Sequence, residues 1–367
     1  MKVKRYDYRQ QFGPQVDLLL AELKDMLLDG RYILTREVED FEQAYARFLG
    51  LRYVRGTNTG TDAIAIALMA LGIGRGDEVV TQANTFNATV TAIRMAGAYP
   101  VLVDADPRTF LMDSSQVDAA VTARTRAIIP VHLFGKPTPM LPLLAVAKRH
   151  GIHVVEDAAQ AHGARIAGRR AGTFGIAGCF SFHPSKNLAA AGDGGAVATD
   201  DLQLAQKVAM IRSLGQQSQN EHVVAGVNSR LDALQARVLS WKLRRLDEWS
   251  SQRRVVASWY RERLAGLPLS FQHEDPSEEH VYHLFQVRTD RRDALLKHLV
   301  QSGVDAVVRY PVPIHLQKPF ADCGWKAGQF PVAEQLAKQL LCLPIRPDLA
   351  AAEVDYVANC VRAFFQA

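Results

Sequence analysis

Between residues 78 and 199 the chain repeats one texture, and that texture constrains the fold more than anything else in it. Runs of four or five mostly apolar residues recur at Glu78–Thr81, Pro100–Val103, Ala127–Val131, His153–Glu156, Cys179–Phe182 and Ala196–Thr199. Between several of them lie segments with helical spacing of apolar residues: Ala88–Met95, Ser114–Val121 and Met140–His150. Strands alternating with helices predict an α/β fold with a mostly parallel central sheet sandwiched by helices. The runs do not alternate apolar with polar, as expected of strands covered on both faces.

The flanks complete the plan. Residues 15–29 place Val16, Leu19, Leu20, Leu23 and Leu27 on one helical face, and Glu37–Phe48 repeats the pattern. Tyr53-Val54 leads into a polar turn from Gly56 to Thr61, and an apolar helix follows from Ala63 to Leu71. After Ser229 a charged helical stretch runs from Leu231 to Leu264 and breaks at Gly266-Leu267-Pro268. Beyond it the pattern predicts strands at Val281–Val287 and Val304–Val308, and helices at Arg291–Gln301, Val332–Leu340 and Ala352–Phe364. With 367 residues to divide, the expectation is a large domain over 1–245 and a smaller C-terminal α+β domain over 246–367.

Composition excludes several classes. Apolar residues make up 48% and charged residues 22%, ordinary for a globular enzyme. The net charge of +5 is scattered. Arg244, Arg245, Arg253 and Arg254 share one helical stretch with Asp247 and Glu248, a solvated face and not a nucleic-acid patch. Cys179, Cys323, Cys342 and Cys360 have no metal-ligand spacing, so neither a metal site nor a disulfide framework is expected. The greasiest run, Ala63 to Ile73, is too short to span a bilayer, and the first residues lack an apolar signal core. These features predict a cytoplasmic protein without membrane or nucleic-acid partners.

Chemistry concentrates at strand ends. The run ending in Glu156-Asp157 puts a carboxylate where open α/β sheets bind their ligands, with Gln160 three residues on. Lys186 follows Asp157 by 29 residues (186 − 157), in Ser181-Phe182-His183-Pro184-Ser185-Lys186, far enough for a crossover to a neighbouring strand. If Phe182 faces the core, Ser181 points to the same mouth. A lysine that can form a Schiff base, with a carboxylate to hold a pyridine nitrogen protonated, is what pyridoxal phosphate requires. Singly, each has a plainer reading, a solvated lysine and a helix N-cap. The turn Thr57-Asn58-Thr59-Gly60-Thr61 opens a helix and suits a phosphate. Phe86, just past the strand ending at Thr81, can stack on a flat ring.

These motifs, in order along essentially the whole chain, resemble the pyridoxal-phosphate-dependent sugar aminotransferases of the DegT/StrS type, in the fold-type I aspartate-aminotransferase superfamily. The resemblance is carried by Tyr32 to Glu42, the phosphate turn, Thr85-Phe86, Glu156 to Gly163 and Phe180 to Asn187. It continues through Gly192 to Gly195, Gly226 to Leu231, Tyr310 to Leu316, Phe330 to Glu334 and Leu343 to Ile345. It implies that Lys186 forms the Schiff base and shuttles the proton, and that Asp157 binds the ring nitrogen. Phe86 and Gln160 would contact the ring, and Gly60, Thr61 and Ser181 the phosphate. Asn228 would reach the phosphate of a neighbouring subunit, making a homodimer with shared sites. His183, Arg309, Tyr310 and His315 are the substrate-side candidates. The chain departs from the usual pattern at Thr35-Arg36, where Gly-Pro is common, at Asp193, where Glu is usual, and at Arg309, where His is usual. The last places a planar cation at the substrate mouth. The implied reaction moves an amino group from glutamate to a keto-sugar, most readily a nucleotide-linked keto-deoxyhexose, with a 3-keto group slightly preferred over a 4-keto group. A keto-inositol or aminobenzoate precursor as substrate, or a non-catalytic cofactor-binding regulator, are the alternatives.

Overall fold

The structure, a computed structural model, describes residues 1–366. Seven strands form the central sheet: β1 (Tyr53–Thr57), β2 (Glu78–Gln82), β3 (Tyr99–Val103), β4 (Thr125–Ile129), β5 (His153–Asp157), β6 (Ala177–Ser181) and β7 (Gly195–Thr199). Their order is β1-β7-β6-β5-β4-β2-β3. All pairings are parallel except those of β7, which runs antiparallel to both β1 and β6.

Both faces of this sheet are covered, which accounts for the non-alternating sequence. Val79, Ile129, Val155, Cys179 and Val197 enter a core with α3 (Gly60–Ala70), α4 (Asn87–Met95) and α6 (Leu202–Ile211). Their neighbours Phe180, Ala196 and Ala198 face the opposite way, with α2 (Arg36–Leu49) and α7 (Ala233–Leu243). Val80, Ile128 and Val154 do the same towards α5 (Met140–His150). Helix α3 is apolar nearly all round because neighbours enclose it: β6, β7, α4 and α6 all pack on it.

The sequence pattern misplaces some elements. The charged stretch from Leu231 to Leu264 is two helices, α7 and α8 (Leu246–Arg263), separated at Arg244-Arg245. In α1 (Val16–Leu28) the buried residues are Leu19 and Met26, whereas Leu20 and Leu27 are exposed. An apolar side chain on an amphipathic face reports that the face is covered by something, and this chain alone does not cover those two.

The C-terminal region packs its own core around Val256, Tyr260, Phe285, Leu295, Leu341 and Val357. Its three-stranded sheet joins Ser270–Phe271, β8 (Phe285–Arg288) and β9 (Leu340–Leu343). The strand expected over Val281–Val287 is therefore shorter and begins at Phe285. Val304–Val308 makes only isolated bridges, to Val3 and Cys342. The helix expected over Val332–Leu340 is Pro331–Gln339, and the chain then turns directly into β9. A short, wholly apolar strand abutting a helix reads as the helix's last turn, because period alone cannot separate the two. The start of the chain also packs here: Val3 is buried in this core and bonds to Gly303.

Candidate active site

The site lies at the carboxyl ends of β5 and β6. These strands are parallel neighbours, with Asp157 opposite Cys179. Asp157 closes β5 and Ser181 closes β6, so both reach one cavity of about 370 Å³. Phe182 is fully buried, so its neighbour Ser181 faces the cavity, as alternation requires.

Lys186 is carried by the loop after β6. Its own N–H donates to the His183 carbonyl (2.8 Å), and Ala190 N–H donates to Phe182 (2.7 Å). Asn187, the next residue, donates from Nδ2 to the Val281 carbonyl (2.8 Å), which ties the loop to the C-terminal region. Burial pulls the Lys186 amine down to about 8; the Asp157 charge opposes this and Arg309 adds to it. Asp157 is held from two sides: Thr89 Oγ1 donates to Oδ2 (2.8 Å) and Ala159 N–H to Oδ1 (3.1 Å). Burial raises its carboxyl above the usual range, against the lowering effect of those hydrogen bonds and of Lys186 and His132.

Opposite lies an anion cradle. Helix α3 starts at Gly60, capped by Thr59, whose Oγ1 accepts from Asp62 N–H (3.0 Å). Thr59, Gly60, Thr61 and Ser181 line the cavity together. A Cβ on Gly60 would fall 2.5 Å from Ser181 Cβ, so only glycine lets the helix start this close to the strand end. Free N–H groups at a helix N-terminus favour an anion.

Phe86, Gln160 and Tyr310 come together at the cavity. The Gln160 amide is oriented by the backbone: Oε1 accepts from Phe134 N–H (2.8 Å), leaving Nε2 to donate to the Tyr310 hydroxyl (3.2 Å). The Phe86 and Tyr310 rings lie 5.1 Å apart. Behind Ser181, buried His162 donates from Nε2 to the Ser181 carbonyl (2.8 Å) and accepts from Tyr45 at Nδ1 (2.8 Å). Burial drives its pKa down to about 3, so it is a neutral brace.

His183 and Arg309 line the same cavity. His315 does not: it is buried, paired through Nε2 with Glu334 (2.9 Å) and packed edge-on against Phe330. Asn228 is exposed and lies outside the cavity of its own chain. Its neighbour Ser229 is buried, and Ser229 Oγ accepts from Asn58 N–H (3.0 Å) and donates to Asp62 (2.8 Å). Residues the sequence did not single out also line the cavity, among them Tyr6 and His283. Nothing local marks His283, which is 97 positions beyond Lys186. Thr89 stands at helical spacing behind Phe86, but its bond to Asp157 is tertiary, 68 positions away along the chain.

The residues present fit pyridoxal phosphate. The cradle that a Cβ would fill suits a phosphate, the buried carboxylate a ring nitrogen, and the partly neutral amine an aldehyde. A fold-type I sheet with these groups at the carboxyl ends of its parallel strands defines a pyridoxal-phosphate-dependent transferase. The chain belongs to the DegT/DnrJ/EryC1/StrS aminotransferase family, whose sequence model matches residues 16–362. It is 43% identical to the dTDP-3-amino-3,4,6-trideoxy-alpha-D-glucose transaminase of Streptomyces venezuelae, over 96% of this chain and 93% of that one. It is also 43% identical to a protein of Geobacillus stearothermophilus named "Pleiotropic regulatory protein", over 100% of this chain and 99% of that one. Among solved structures, S. venezuelae DesV in complex with a ketimine intermediate superposes with a TM-score of 0.97 at 42% identity, covering 100% and 99% of the two chains. Bacillus subtilis ntda with bound cofactor PMP gives a TM-score of 0.93 at 32% identity, covering 100% and 86%. The protein is a pyridoxal-phosphate-dependent aminotransferase acting on small molecules.

Proposed function

We propose that the protein moves an amino group from glutamate to the 3-keto carbon of a nucleotide-linked deoxyhexose. The observation that carries the reading is the convergence of Lys186, Asp157 and the Gly60–Ser181 cradle on one cavity. The 3-amino sugar in the name of the Streptomyces venezuelae relative supports the choice of acceptor. When bound, pyridoxal phosphate supplies the electron sink that lets an amino acid's Cα–H bond ionise. In this reading Asp157 keeps the ring nitrogen protonated, and Thr89 and Ala159 hold the carboxylate in place for that task. Lys186 would take the proton from the amino acid's Cα as base and give it back as acid. Gly60, Thr61 and Ser181 would hold the phosphate, and Phe86 and Gln160, whose amide is oriented by Phe134 N–H, would contact the ring.

The reading includes a cytoplasmic homodimer in which exposed Asn228 completes the partner's site. The uncovered Leu20 and Leu27 of α1 support an apolar interface of some kind. No helix among the described residues is long and apolar enough to cross a membrane.

The visible spectrum of purified protein, before and after glutamate, tests the donor half. A yellow protein that bleaches has a working donor reaction. The bleached form is then offered 3-keto and 4-keto nucleotide sugars, and the regained colour and product mass identify the acceptor. A protein that bleaches but is recharged only by 2-oxoglutarate refutes the sugar reading. The relative named as a regulator favours a second reading, a cofactor-binding regulator. That reading requires a yellow protein indifferent to every amino donor.

A further inference from the structure

We propose that Arg309 and His283 form a second anion subsite in the cavity, one that takes a carboxylate of a substrate and is separate from the phosphate cradle. The proposal rests on the transaminase reading above and extends it.

Arg309 lines the cavity, yet its guanidinium has no ion pair and no hydrogen bond among the described residues. Other enclosed arginines of this chain are engaged: Arg212 with Glu42, Arg346 with Asp348 and Glu353, Arg253 with the Tyr282 and Ile345 carbonyls. Arg309 is half-buried, so a guanidinium without a partner in the chain is open to an anion that enters the cavity. The guanidinium is a planar fork that matches a carboxylate.

His283 is only 7% exposed and lines the same cavity. Its Nδ1 is sealed from solvent without a partner. Nε2 has no protein partner either, and it is the nitrogen left open towards the cavity. Burial, reinforced by Lys186 and the neighbouring arginines, keeps the ring neutral. A sealed lone pair costs less than a sealed N–H, so the proton sits on Nε2 and the ring offers a donor to the cavity. Tyr310 contributes in the same sense: its oxygen accepts from Gln160, which leaves the hydroxyl proton free to donate. Donors thus meet at this end without an acceptor of their own. Of the carboxylates lining the cavity, Asp157 is held by Thr89 and Ala159, and Asp193 is exposed.

His283 is also held rigidly. Val281 N–H donates to Gly135 (3.0 Å) and Leu284 N–H to Phe134 (3.1 Å). Asn187 and Arg253 donate to the Val281 and Tyr282 carbonyls (2.8 and 3.0 Å). Tyr282 takes φ 43°, a left-handed conformation that an aromatic residue rarely adopts. Gly135 allows the approach, since a Cβ there would lie 2.7 Å from His283 N. The same strap touches the residue after Lys186 and the segment that orients Gln160, so the donor is fixed relative to both.

The carboxylate has two possible sources, the amino donor or an acid group on the acceptor. The test uses the cofactor-loaded protein and the variants Arg309→Gln, Arg309→Lys and His283→Leu. The kcat and KM of the glutamate half-reaction are measured, with calorimetric binding of 2-oxoglutarate to the bleached form. Neutral and uronic-acid keto-sugar nucleotides are compared as acceptors. If the donor is the source, Arg309→Gln raises the glutamate KM and weakens 2-oxoglutarate roughly 10- to 100-fold, with the neutral acceptor little changed and kcat little changed when each variant is read at the plateau of its own pH profile, because this charge also moves the Lys186 midpoint. Arg309→Lys recovers part of the loss, and His283→Leu loses roughly tenfold. If the acceptor is the source, the same losses fall on the uronic acid alone. Cofactor affinity and melting temperature stay at wild-type values in both cases, which a merely structural role would not allow. A wild type that bleaches with glutamate, with every carboxylate constant in the variants within about twofold, overturns the subsite and leaves the transaminase standing. A wild type that neither bleaches nor binds 2-oxoglutarate overturns both.

Discussion

An amine that must attack an aldehyde has to be neutral, and the structure sets how often Lys186 is. An exposed lysine near 10.5 is neutral in roughly 3 of 10,000 molecules at pH 7. With burial bringing Lys186 to about 8, the neutral fraction rises to about one-tenth, a gain of roughly 300-fold. The perturbation is pH, and the assay is stopped-flow mixing of cofactor-free protein with pyridoxal phosphate, followed by visible absorbance. Below the midpoint the rate climbs about tenfold per pH unit, and it levels off near pH 8. Arg309→Gln removes a repelling charge and moves the midpoint up; Asp157→Asn removes an attracting one and moves it down. A rate that still climbs through about pH 10 would refute the claim that the site lowers this pKa. A midpoint that moves the wrong way in both variants would refute the assignment of the two charges.

Lys186→Ala abolishes transamination while leaving noncovalent cofactor binding, read as turnover and as absorbance of the dialysed protein; a variant at wild-type rate removes Lys186 from the chemistry. Gly60→Ala drives a Cβ against Ser181 and displaces the start of α3, so cofactor affinity in a spectral titration falls roughly 10- to 100-fold; unchanged affinity would move the phosphate elsewhere. Thr89→Val deletes one donor to the Asp157 carboxylate, which raises its pKa further and slows the glutamate half-reaction about tenfold with the cofactor still bound. Glu156→Gln disturbs a fully buried carboxylate that accepts from Gly172, Phe174 and Gly175 N–H and pairs with His132, so urea denaturation shows a loss of about 3 kcal/mol.

Legibility in the sequence follows the range of the interactions. Six of the seven strands of the central sheet were readable because burial on both faces leaves unbroken apolar runs; Tyr53–Thr57, with Arg55 and Gly56 in it, read as the approach to a turn. Asp157 was legible because it follows such a run, and Ser181 because alternation sets it opposite Phe182. Strand ends of a parallel sheet point at one crevice, so spacing along the chain translated directly into a shared site. The C-terminal elements were less legible. Leu340–Leu343 is as apolar as its preceding helix, and the stretch from Leu231 to Leu264 hides a break at Arg244-Arg245 that no glycine or proline marks. The helix face of α1 was misassigned because hydrophobicity does not say which neighbour will cover it.

The same division separates the two halves of the site. What binds a cofactor of fixed shape comes from strand ends and one helix start, within the first part of the chain. In the proposed reading the substrate is faced by Arg309 and Tyr310, on one segment, and by His283, on a separate strap whose bonds to Gly135, Phe134 and Asn187 are all long-range. Those bonds have a consequence for variation in specificity. The strap is anchored through backbone N–H and C=O groups on its own side, so the side chain at 283 can change without releasing it. Arg309 fits this pattern: its carbonyl accepts a weak bond from Gln286, while its guanidinium is free of the protein. In the proposed reading, substrate preference can therefore be altered at these positions while Asp157 and the cradle, at the ends of the packed strands, and Lys186, on the loop after β6, keep the chemistry constant.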